Sequence, residues 1–198
     1  MVGISRLAFS LALVCWWSSQ SIADDAKPTN GPFGIIEGTE LSALSDCRQP
    51  TPTAGVYRCS DVPKPRPGIA WYGVLAGAHV CGVLAGTSEK QVDNRGDQIR
   101  ELVDRAASEI AKEYGAYTKL DELAPGSMWA GPDHWMEGLF TKERVYDYVW
   151  RPEAGSKLKD GINWIIVSAK APTLASGYAF IFFIFDNHAD CDSVMTQP

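Results

Sequence analysis

The sequence lacks the spacings by which the commoner catalytic folds are recognised. Neither G-x-G-x-x-G nor a P-loop occurs, so no glycine loop is set to bring backbone N–H groups against a phosphate. G-x-S-x-G and H-E-x-x-H are absent too, which removes the serine-elbow hydrolases and helix-borne zinc proteases. No C-x-x-C or cysteine/histidine spacing for zinc is present, and no cofactor or metal is expected. There is no N-x-S/T sequon. Basic clusters are missing as well: 18 Lys and Arg stand against 24 Asp and Glu, a balance that repels phosphate backbones and excludes nucleic acid as an expected partner.

What is present is an ordinary globular composition, 45% hydrophobic and 21% charged, which excludes collagen-like, low-complexity and wholly disordered chains. The first residues have the layout of a secretory signal peptide. Arg6 precedes the apolar run Leu7 to Trp17, and polar residues then lead to the small-residue pattern Ser21-Ile22-Ala23, with cleavage expected after Ala23. A competing reading makes Cys15 a lipidation site, but Val14 stands where a small residue is wanted. Residues 1–23 are therefore read as a signal peptide and 24–32 as a disordered leader, with one α+β domain over 33–198. The expected destination is the periplasm or the medium.

Without Cys15 four cysteines remain, Cys47, Cys59, Cys81 and Cys191, an even number that in an exported chain points to two disulfides. Of three possible connectivities, Cys47 with Cys59 and Cys81 with Cys191 is preferred. The first closes a short turn-rich loop; the second ties the chain's end to its middle.

Apolar residues from Ile99 to Tyr114 recur at three- and four-residue spacing, predicting a helix over about 98–114 with Asp97 as N-cap and Gly115 beyond its end. Its opposite face carries Arg100 with Asp104, Glu101 with Arg105 and Arg105 with Glu109, all four apart, and is read as solvated. The uncharged stretch Ile69 to Gly86 offers a marginal membrane span. Its glycines, His79 and the pair Trp71-Tyr72 fit two strands in a hairpin better, with no transmembrane span in the mature chain.

Further strands are expected at Val56 to Cys59, Val145 to Trp150, Ile162 to Ala169 and Tyr178 to Phe185, with 121–131 a loop and Asp133 capping a short helix. Tyr178 to Phe185 is apolar on both faces and should be covered on both. Pro63, Pro65 and Pro67 make an extended spacer or a polyproline ligand. The fold class is α+β: a mostly antiparallel sheet of about five or six strands with one long amphipathic helix packed on it. Phe33-Gly34-Ile35-Ile36-Glu37-Gly38-Thr39, followed by Leu41 and Leu44, resembles the start of several small bacterial envelope proteins. That resemblance implies a short strand and a glycine turn leading into a helix, and no function.

The chemistry-bearing residues are few. His79, His134 and His188 are far apart in sequence, although Asp133-His134 offers an acid beside an imidazole. Ser156 and Lys157-Leu158-Lys159 match S-x-x-K without its supporting motifs. Asp186, Asn187, Asp190 and Asp192 crowd a short segment, but lack the glycine and glutamate of a calcium loop. Tyr146, Tyr148 and Trp150 share one strand face and, with Trp129 and Trp135, form a candidate aromatic platform; the same face would otherwise be core under the helix. The expected function is that of an exported small binding or accessory protein whose partner is another exported or envelope protein. The alternative is a small exported hydrolase using His134 or His188 with an acidic neighbour.

Overall fold

The computed structural model describes residues 30–49 and 55–192. The expected signal peptide and the leader up to residue 29 lie outside the described residues. Of the leader's last three residues, Pro32 is buried at the head of a 3-10 turn, Pro32–Gly34.

The elements run β1 (Cys47–Arg48), β2 (Val56–Cys59), β3 (Ile69–Ala76), β4 (Val80–Thr87), β5 (Lys90–Gln91), α1 (Asp97–Tyr114), β6 (Thr118–Leu123), α2 (Trp135–Phe140), β7 (Arg144–Trp150), β8 (Ile162–Thr173) and β9 (Ser176–Phe185). They form a sheet-rich α+β fold with a single antiparallel sheet in the order β1-β2-β3-β4-β9-β8-β7-β6, β5 pairing with the start of β9. Among the described residues the sheet has nine strands, more than the five or six expected. Two of the additional strands, β1 and β5, are only two residues long and carry no periodicity to read. The third, β6, occupies part of the expected 121–131 loop. It is a polar edge strand, Thr-Lys-Leu-Asp-Glu-Leu, whose charges suit a sheet border but hide its strand character.

The 69–86 stretch forms the β3–β4 hairpin, with His79 exposed at its turn. Among the described residues no helix is long and apolar enough to cross a membrane. The opening segment departs from its expected strand and helix: residues 32–34 and 41–43 are 3-10 turns. Phe33 takes a left-handed conformation, φ 56°, and plugs its ring into the core against Tyr72 and Phe183, at 4.9 and 5.7 Å between centroids.

Helix α1 spans the expected residues and buries Ile99, Val103, Ala107, Ile110 and Tyr114. Its N-cap is Gly96, not Asp97. The preceding turn is held by Asp93, whose carboxylate accepts the N–H groups of Arg95 and Gly96, and Gly96 sits at φ 64° where a Cβ would strike the Trp135 ring. Asp133 likewise does not cap α2; it lies in the 3-10 turn Pro132–His134, 3.6 Å from Arg95.

Alternation gives the sheet two unlike faces. The inner face, with Val74, Val83, Ile165, Val167, Ile181 and Phe183, joins the buried side chains of α1 and α2 in one core. A separate, smaller cluster lies on the outer face: Leu75, Leu84, Cys81 and Cys191, flanked by Val56, Trp71, Phe180 and Phe182. The expected disulfides, Cys47–Cys59 and Cys81–Cys191, are both formed. The second fastens the C-terminal turn Asp186–Cys191 over one end of the outer face.

Candidate functional site

The sequence-predicted platform divides. Trp135, Tyr146, Tyr148 and Trp150 lie on the inner face with at most 5% of their surface exposed, in the core position that was the other reading of that face. Trp129 is half-buried in the loop before α2, its ring 5.8 Å from that of His134.

The polar ends of the two tyrosines meet at a point the sequence does not announce. Tyr146 and Tyr148 each donate a 2.6 Å hydrogen bond to Asp104 Oδ1 on α1. The Lys119 ammonium donates to the Tyr146 hydroxyl at 2.7 Å and stands 3.6 Å from the same carboxylate. Burial, reinforced by the Asp104 carboxylate, raises both phenols above their ordinary range. Burial alone would lower Lys119, but its bonds to the two hydroxyls and the Asp104 charge outweigh that and raise it. The group pins α1 to β6 and β7 while Asp104 and Lys119 stay half-exposed.

Asp104 therefore does not pair with Arg100, as helix spacing implies. Arg100 turns to Asp97, Arg105 pairs with Glu101 as expected, and Glu109 pairs with Lys112.

Among the described residues no hydrogen bond joins a histidine ring to a serine, threonine or cysteine side chain. His134 Nδ1 stands 3.4 Å from Glu137 Oε1, so its acidic neighbour is Glu137, one helical turn on. His188 is half-buried with Nδ1 unpartnered. Ser156 donates to the Ala116 carbonyl at 2.6 Å and accepts the Arg151 N–H at 3.0 Å, bonds that fasten a loop. Asp186 accepts from the Asn163 side chain, while the Asn187 side chain donates to the Val80 carbonyl and its backbone N–H donates to the Glu37 carboxylate. These acidic and amide groups anchor the C-terminal turn. No group of three or more metal-ligating side chains occurs among the described residues.

The unusual surface is the outer face of the sheet. Helices α1 and α2 both lie on the opposite side, so among the described residues β9 is covered by a helix on one face only, against the expectation for a strand apolar on both. Register places Gly86 beside Trp71 and Phe180, Leu84 beside Gly73 and Phe182, and Gly82 beside Leu75 and Ile184. A Cβ at Gly86 would collide with the Trp71 indole, and one at Gly82 with the Phe182 ring at 2.7 Å. These rings accordingly lie down over the glycines, along the sheet.

Trp71 and Phe180 stand 6.0 Å apart with planes 35° from parallel, and Phe180 meets Phe182 at 6.2 Å. Trp71, Trp164, Ile166, Phe180 and Phe182 remain half-buried, together with an exposed Val145. Cations stack on the rings: Arg58 over Trp71 at 4.4 Å, Arg151 over Trp164 at 4.8 Å and Lys170 over Phe180 at 5.8 Å. The signal for this surface was the two-faced apolarity of β9 and the glycine repeats of β3 and β4; neither says which face the helix takes.

Comparison with protein-family models, with curated proteins and with solved structures finds no match for this chain.

Proposed function

We propose that the chain is an exported binding or accessory protein of the cell envelope or secreted fraction, and that the outer face of the sheet is its contact surface. The observation that carries this reading is the row of half-buried Trp71, Trp164, Ile166, Phe180 and Phe182 on a sheet whose two helices both lie on the other side. A contiguous apolar patch is costly to leave in water at about 25 cal/mol per Å², and patches of several hundred Å² on soluble proteins mark interaction surfaces. The stacked cations support the reading, because a charged head group lying over a ring covers part of its apolar face at the water boundary.

Two disulfides are compatible with an oxidising compartment. The partner class remains that expected from export, another exported or envelope component. Catalysis has less support, since among the described residues the one acid–imidazole pair, His134 with Glu137, has no nucleophile bonded to it.

The test is site-specific photo-crosslinking in the exporting cell, with p-benzoylphenylalanine replacing Ile166 on the outer face or Glu101 on the exposed side of α1. Adducts from position 166 and not from 101 are expected. Equal labelling from both positions, or none from 166, would reject the outer face as the contact surface.

A further inference from the structure

Taking the outer face as a binding surface, we propose that its β1–β2 corner holds the head group of a monoanionic amphiphile, a carboxylate or phosphate on an apolar chain, between Arg48 and Arg58. Strand β1 consists of Cys47 and Arg48 alone. Cys47 stands opposite Cys59, to which it is bonded, and Arg48 stands opposite Arg58, one step along the ladder. Like charges directly across a strand pair repel, and so short a strand has few backbone bonds to resist them. The disulfide supplies that resistance and keeps the two arginines paired on one face of the ladder.

Neither arginine is ion-paired among the described residues. Arg58 is positioned by stacking on Trp71 at 4.4 Å. Around them lies a surface cavity of about 680 Å³, broadly open to solvent and lined by Asp46, Arg48, Arg58, Ser60, Trp71 and Tyr72. With Asp46 on its wall the cavity carries one net positive charge, which suits a single negative head. Guanidinium forks match carboxylate and phosphate oxygens two at a time.

The tail has a track. From Arg58 the same register row runs through Gly73 and Leu84 to Phe182, three strand spacings or about 14 Å, with Trp71 and Phe180 beside it. An extended peptide laid over these rings would leave backbone N–H and C=O groups without partners. An acyl chain has none to satisfy.

The probes are dodecanoate below its micellar concentration and phosphatidylglycerol vesicles, with dodecyl maltoside as the neutral control and acetate as the head group alone, each titrated against the mature chain by tryptophan fluorescence. One or both anionic probes should bind at least tenfold more tightly than dodecyl maltoside, and acetate should bind far more weakly. Arg48→Glu, on an exposed edge strand, should cost tenfold or more in affinity with an unchanged circular dichroism spectrum; Arg58→Gln serves as a second variant should that one not fold.

Binding of dodecanoate identifies a free acid as the source, and binding of vesicles alone identifies a bilayer; both support the site. Equal affinity for neutral and anionic probes, no binding of either anionic probe, or folded arginine variants with unchanged affinity overturns it. Position 166 crosslinking is independent of these titrations, so a failed anion site with crosslinking retained leaves the outer face as a surface for protein.

Discussion

The Tyr146 hydroxyl donates a 2.6 Å hydrogen bond to Asp104 Oδ1, joining β7 to the side of α1 whose charges the helix spacing assigns to solvent. Removing the carboxylate deprives Tyr146 and Tyr148 of their shared acceptor and Lys119 of its nearest anion. Hydrogen bonds to a charged group are worth about 1.5–3 kcal/mol, and half-exposure of Asp104 reduces that. Asp104→Ala should therefore destabilise the fold by about 1–2 kcal/mol in urea unfolding. In a double-mutant cycle with Tyr146→Phe the two losses should fall short of additive; strict additivity would mean that the bond contributes nothing.

The same cluster contributes to the alkaline sensitivity of the fold. Burial and the Asp104 carboxylate raise the Tyr146 phenol above its ordinary value of 10. Below pH 10 both folded and unfolded chains keep this proton, and the contribution is fully present. As pH rises past 10 the unfolded chain loses the proton first, so stability falls until the folded phenol also ionises. Tyr146→Phe should be less stable at neutral pH but flatter above pH 10, as measured by thermal unfolding across pH 8–11.5.

On the acid side the corresponding group is Glu113. Burial opposes its ionisation, but Arg66 at 3.0 Å and Lys159 at 3.2 Å outweigh burial and hold it below its ordinary 4.5. Its contribution is present above pH 4.5 and is lost as pH falls through the lower folded value. Glu113→Gln should lessen the acid dependence of stability between about pH 5 and pH 3. An identical slope in the two proteins would remove Glu113 from the account.

Much of this architecture was legible because its signals are local. The period of α1, the glycine turn between β3 and β4, and the two-faced apolarity of β9 each follow from residues within one element. What was not legible depends on partners far along the chain. Asp104 looks like a solvated helix residue until β6 and β7, which follow it, return Tyr146, Tyr148 and Lys119 to its side. Strand β1 exists because Cys59 and Arg58 lie opposite it. Plain alternation points to β7 for the aromatic face, whereas the half-buried rings lie on β3, β8 and β9; which face of a sheet a helix covers is decided by packing across the whole sheet.

The Cys81–Cys191 bond closes a span of 110 residues and joins the C-terminal turn to the outer cluster. Loop-closure entropy for a span of that size amounts to about 4–5 kcal/mol, less whatever strain the bond adds. Replacing both cysteines by Ala should lower the denaturant midpoint strongly, while the Cys47/Cys59 pair, closing a span of 12, should cost about 3 kcal/mol or less. A larger loss from the shorter pair would show that the outer cluster does not depend on the C-terminal staple.

Gly86 and Trp71 offer the most direct test of how the outer face is built. They are register partners, and the indole occupies the space a Gly86 side chain would need. Gly86→Ala must lift the ring away from the sheet, which separates it from Phe180 and unseats Arg58 from its face. Overpacking of this kind costs about 1–3 kcal/mol. Tryptophan emission should shift to the red as the Trp71 ring enters water, with the inner-face tryptophans unaffected. Trp71→Leu frees the space and should recover part of the loss when combined with Gly86→Ala, so that the double variant is more stable than the sum of the two singles predicts. Purely additive losses with unchanged emission would mean that the ring does not rest on the glycine.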